Sequence, residues 1–175
     1  KASAVTMFAA IALSMRLVAE ERQTGTLTLL NTVPIRDREI VLGKFLSAFG
    51  LLVVMTLLTI YMPLLILVNG KVSWGHILVG YTGLLLLGAA ATAIGLFAST
   101  LARSQVVAVI IAALIIAPLI LLWMVAKAVD PPLNTFLAGL AFHHENFRPF
   151  MEGILGVEHV VYYLAVTYFF LLAAT

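Results

Sequence analysis

The runs from Ile77 to Leu101 and from Val106 to Val129 constrain this chain more than any other feature. Crossing a bilayer as a helix takes about 20 mostly apolar residues, and both runs exceed that. Neither holds a charged residue near its centre. Three further apolar stretches accompany them, so spans are expected at about 2–18, 40–68, 77–101, 106–129 and 159–175. The chain is 63% hydrophobic and 10% charged, whereas soluble domains are about 45–50% apolar and about 25% charged. No soluble fold of this size hides so much apolar surface. The expected fold class is an all-α integral membrane protein, a polytopic helical bundle forming one domain. The first residue is Lys1, and the last residues stop inside an apolar run, as expected of a piece of a longer protein.

Only residues 16–45, RLVAEERQTGTLTLLNTVPIRDREIVLGKF, look built for water. Half of the chain's basic residues (Arg16, Arg22, Arg36, Arg38, Lys44) and half of its acids (Glu20, Glu21, Asp37, Glu39) fall there. Within it, 26–32 forms a short amphipathic turn. Gly25 breaks the preceding helix, because glycine accepts positive φ and weakens a helix interior. Thr24 or Thr26 can cap the next turn, which puts Leu27 and Leu30 on one side. Pro34 ends it, since the residue before proline avoids the α region. Either Arg36 or Asp37 can open the following helix. Arg16, Arg22, Arg36, Arg38, Lys44 and Arg103 collect on one side of the membrane, against Lys1, Lys71, Lys127 and Arg148 on the other. This bias places the 16–45 loop in the cytoplasm.

The run Ala19-Glu20-Glu21-Arg22-Gln23-Thr24-Gly25-Thr26-Leu27, continued by Leu29-Leu30, Pro34 and Glu39-Ile40-Val41-Leu42-Gly43-Lys44-Phe45, closely resembles the cytoplasmic loop of ABC-2 type permeases. It looks most like the gliding-motility and copper-processing branch. Two further stretches resemble the same permeases. Gly95 to Ser99, with Leu101 and Gln105 to Ala108, is similar to a junction between consecutive helices. Phe147, Phe150, Gly153-Ile154 and Val160 to Tyr163 are similar to the outer re-entry region before the last helix. The resemblance implies an ABC-2 (type V exporter-like) transmembrane domain without catalytic residues, whose first helix and part of whose last would lie outside this chain. It implies an ABC ATPase subunit as partner, with ATP and Mg bound there and no cofactor on this chain. It also implies a second permease copy or a homologous permease, contact with lipid, and a bacterial or archaeal inner (plasma) membrane. Glu20, Glu21, Arg22, Gly25, Thr26, Leu27, Leu29, Leu30 and Pro34 would form the ATPase-coupling surface within a loop at 19–39. The leucines would supply apolar contact and the charges would orient docking.

Other features are weighed without the resemblance. Gly43-Lys44 and Gly70-Lys71 do not complete a GxxxxGK[ST] phosphate loop, so nucleotide binding on this chain has no motif behind it. Gly88, Ala91, Thr92, Gly95 and Ser99 recur at three- and four-residue steps, a smooth stripe suited to close helix packing or to lining a substrate path. Pro63 and Pro118 serve as static kinks or hinges. Asp130-Pro131-Pro132 ends a helix, and the aromatic-rich segment 130–158 is expected to lie at the outer interface rather than cross it. His143, His144, Glu145 and His159 invite a metal reading, but their spacing matches no HExxH pattern, and an interfacial polar cluster accounts for them. The absence of cysteine excludes disulfides and thiolate sites. The net charge of +2 gives no reason to expect nucleic acid. Spans without a central charge argue against proton relays and voltage sensors. The expected function is the permease subunit of an ABC exporter; a membrane scaffold that anchors a cytoplasmic complex is the alternative, and an enzyme using the outer histidines comes last.

Overall fold

Small side chains decide which helix sits at the centre. The computed structural model describes residues 6, 9, 10, 12, 37–61, 63, 73–131 and 133–175. Its helices are α1 (Asp37–Leu58), α2 (Trp74–Leu101), α3 (Gln105–Lys127), α4 (Leu133–Leu140), α5 (His144–Met151) and α6 (Val157–Ala173). α1, α2 and α3 are long and apolar enough to span a membrane. At 1.5 Å per residue, the 28 residues of α2 extend about 42 Å. α6, with 17 residues, is shorter and equally apolar.

α2 is the hub. Its segment GAAATAIGLFAS offers little side-chain bulk, so neighbouring backbones approach from every side. Its most apolar stretch is 67% buried, against 22% for α1 and 17% for α3. The outer helices present narrower faces. α1 buries Val41, Phe45, Ala48, Leu52 and Thr56 at three- and four-residue steps, while Leu42, Leu46, Val54 and Met55 point outward. α3 buries Ala108, Ala112 and Ile116 along one seam and leaves Ile110, Leu114 and Leu121 exposed. Outward-facing leucine and isoleucine are what lipid, rather than water, permits.

α1 and α2 run antiparallel. Val41 and Phe45 pack with Ala93 and Leu96 near the end of α2, while Thr59 reaches the Tyr81 hydroxyl (3.1 Å) near its start. The loop end of the bundle therefore holds Asp37, Leu101 and the turn Ala102–Ser104. There the Ser104 side chain accepts from the Val107 N–H (3.4 Å) and caps α3. α6 runs parallel to α2: its start lies at the opposite, cap end, and Phe170 packs against Phe97, their rings 5.6 Å apart. Threonine hydroxyls inside these helices are satisfied locally. Thr56, Thr92 and Thr167 each donate to the carbonyl four residues earlier, at 2.7–2.8 Å.

α1 ends at Leu58, ahead of Pro63, in tight turns where Thr59 and Ile60 N–H groups bond back three residues. The Thr59 hydroxyl adds a second bond to Thr56 O (2.7 Å) and favours this tightening. The segment 133–158 folds back onto the bundle. α4 doubles back along α3, and the Phe142 N–H donates to Leu119 O at 2.9 Å. Leu119 sits eight residues before Lys127, about 12 Å along the axis from the end of α3. α5 then climbs back along α2 to the cap end.

Candidate functional site: a re-entrant hairpin clamped to the central helix

A chain that turns round beside Leu119 leaves backbone carbonyls without helical partners, and they need other donors. Side chains do this at the tip, one carbonyl after another. Asn146 Nδ2 donates to Gly139 O (2.9 Å) and to Ala141 O (2.8 Å). The Tyr162 hydroxyl donates to Leu140 O (2.8 Å), and the Tyr163 hydroxyl to Phe142 O (2.6 Å). Four consecutive carbonyls are thus held by three side chains. Ala141 N–H closes on Ala138 O (3.0 Å), and Phe142 N–H goes to Leu119 O. Tyr163 and Phe142 are fully buried, and their rings meet edge to face at 5.6 Å.

α5 is locked onto α2 by missing side chains. A Cβ on Gly83 would fall 2.6 Å from both Phe150 Cβ and Cγ, so only glycine lets α5 approach this closely. Phe142, Phe147 and Phe150 enter one core cluster with Leu87, Ala90, Ile94, Ile116 and Tyr163. They fill the space between α2, α3 and α6. At the top of α5, Gly153 takes φ +77°, a left-handed helix stop that frees its neighbours to bond back. Ile154 N–H reaches Pro149 O at 2.9 Å. His76 Nε2 bonds Met151 O (2.9 Å), tying the start of α2 to the end of α5.

Of the residues that the sequence singles out, the stripe on α2 is entirely buried. Gly88 faces α1 and the first segment: a Cβ there would meet Leu52 Cδ2 at 2.8 Å and Thr6 Cγ2 at 3.3 Å. Ala91 clusters with Ala10 and Leu52. Thr92 bonds Gly88 O (2.7 Å), and Gly95 and Ser99 continue the buried face toward the loop end. Glu20, Glu21, Arg22, Gly25, Thr26, Leu27, Leu29, Leu30 and Pro34 lie outside the described residues. His159 Nδ1 lies 3.1 Å from Asn146 Oδ1 and its Nε2 3.5 Å from Glu158 Oε1, and the His143 ring lies 5.1 Å from that of Phe147. Among the described residues no three His, Asp or Glu side chains converge as metal ligands would. Ser104 stands at the loop end, opposite to His159.

Asn146 is the residue that sequence reasoning passed over. Its signal was an amide set among Phe142, Phe147 and Phe150, followed by a Tyr-Tyr pair one helix later. Both tyrosines turn their hydroxyls to the same four-residue tip.

A family model described as "ABC-2 family transporter protein" matches residues 2–172. No curated protein and no solved structure matches the chain. The match takes in the polar stretch that precedes α1 in sequence, the long apolar helices of the described residues and the hairpin between α3 and α6. With three helices among the described residues long and apolar enough to span and a family model over nearly its whole length, this chain is a multi-pass membrane protein that belongs to the ABC-2 transporter family.

Proposed function

We propose that the chain is the non-catalytic, membrane-spanning subunit of an ABC exporter, coupled to ATP hydrolysis on a separate ATPase that holds the nucleotide and Mg. The observation that carries this reading is the family match over residues 2–172. Residues 20–34 dock on the ATPase: Leu27, Leu29 and Leu30 enter its groove, and Glu20, Glu21 and Arg22 orient the contact. The loop end faces the cytoplasm and the hairpin faces outward, in a bacterial or archaeal inner membrane. A second copy, or a homologous permease, completes the transporter. ATP binding draws two ATPases together, pushes on the loop and tilts the helix before it against α1. The stripe from Gly88 to Ser99 is the surface over which those helices shift, because small residues leave few interlocking side chains to resist sliding.

The architecture fits such a lever. α1 enters directly from the loop and contacts α2, which carries the hairpin at its far end. Displacement at the loop end thus reaches the hairpin through one packed helix. The test is co-purification. Leu27→Asp with Leu30→Asp in the full-length permease should lose its ATPase subunit at least about tenfold, since charges cannot enter an apolar groove unpaired. Retention of an ATPase by the double variant at wild-type levels would refute this docking surface.

A further inference from the structure

A cavity of about 370 Å³ opens beside the hairpin, between α4, α5 and α6, lined by Ala138, Gly139, Asn146, Glu158, His159 and Tyr162. That volume is many times the roughly 30 Å³ share of a water molecule and suits a group of several heavy atoms. Its chemistry follows from one amide. Both hydrogens of Asn146 Nδ2 are committed, to Gly139 O and Ala141 O. Oδ1 must then be the atom that faces His159 Nδ1 at 3.1 Å. An amide oxygen only accepts, so Nδ1 carries the hydrogen, and in the neutral ring Nε2 presents a lone pair. The ring packs against its neighbours. Gly156 lies so close that a Cβ would stand 2.7 Å from His159 Cδ2, and Phe150 meets the ring edge to face at 6.1 Å.

Nε2 lies 3.5 Å from Glu158 Oε1. Two acceptors, one of them a carboxylate, therefore face the same space. Tyr162 adds a third, because its hydroxyl hydrogen is spent on Leu140 O and its oxygen keeps its lone pairs. An anion is repelled here. Two nitrogen or carboxylate ligands are fewer than the three or four that hold a transition metal. A group with three N–H donors and a positive charge matches the set. We propose that this cavity binds a primary ammonium group, accepted by His159 Nε2, the Glu158 carboxylate and Tyr162 Oη. The group is carried by a lipid headgroup or by a soluble amine. The site stands whether or not an ATPase drives the bundle.

The test compares probes that differ only in their N–H donors. The full-length protein is equilibrated with equal amounts of phosphatidylethanolamine and phosphatidylcholine, and retained lipid is counted by native mass spectrometry. In parallel, thermal stabilisation by soluble ethanolamine is compared with that by choline. An ethanolamine preference of at least about tenfold is expected, the worth of one charge-assisted hydrogen bond. Preference in the lipid arm alone assigns the headgroup; preference in the soluble arm assigns a free amine. Glu158→Gln, with its side chain 82% exposed, leaves the fold intact and should abolish the preference. Gly156→Ala, which displaces the imidazole, should do the same. Equal binding of both probes in both arms, or a preference that survives Glu158→Gln, would overturn the site.

Discussion

Asn146 and Tyr163 show how much of the hairpin rests on single polar atoms. Tyr163→Phe keeps the ring against Phe142 and removes only the bond to Phe142 O, leaving a buried carbonyl without a donor. The expected loss is about 1–3 kcal/mol, the price of an unsatisfied buried group. Tyr162→Phe removes an exposed bond, which water or a headgroup replaces, and should lose at most about 1 kcal/mol. Denaturant unfolding in mixed micelles ranks the two; a larger effect at Tyr162 would contradict the account of the tip. Asn146→Asp is the sharper variant. It substitutes an acceptor for the amide that donates to Gly139 O and Ala141 O, and sets a carboxylate against two carbonyls. It should destabilise more than Asn146→Ala, which only leaves those carbonyls empty.

At the scale of elements, glycines on α1 and α2 separate packing from propensity. Gly83→Ala forces Phe150 and the backbone of α5 away from α2, and overpacking of this kind loses about 1–3 kcal/mol. Gly50→Ala meets nothing within 4 Å and should be neutral or gain up to about 1 kcal/mol of helix propensity. Thermal unfolding followed by circular dichroism tests the pair. Equal effects at the two positions would mean that α5 does not sit in the Gly83 notch. These elements were legible in the sequence to different degrees. The long helices follow from apolar length, and Ser73 and Ser104 stand at the N-caps of α2 and α3. The burial of α2 was announced by its small residues, since in lipid a buried face differs from an exposed one by size rather than polarity. The hairpin was harder to read. Phe142, Phe147 and Phe150 are as apolar toward lipid as toward protein, so composition alone cannot say which they face. Pairing of Asn146 with carbonyls five and seven residues back is a tertiary fact that no helical or strand period encodes.

For the molecule as a whole, the proposed account is a path of contact from one end to the other. Residues 20–34 precede α1 in sequence, α1 slides on the small residues of α2, and α2 carries the hairpin whose tip is pinned to α3 and α6. Gly88→Leu should jam that path: the added side chain meets Leu52 and Thr6 where helices are in direct contact. ATPase subunits should still co-purify with this variant while transport-coupled ATP turnover falls several-fold; loss of the ATPase itself would place the defect in folding rather than in motion.

The central claim is that residues 20–34 grip an ATPase, and the chain's lack of cysteine makes it directly measurable. Thr28→Cys in the full-length protein, labelled with a photo-crosslinker and irradiated in native membranes, reports what touches the loop. The account predicts capture of an ABC ATPase in a yield that changes when ATP is added. Capture of lipid alone, under every nucleotide condition, would contradict it.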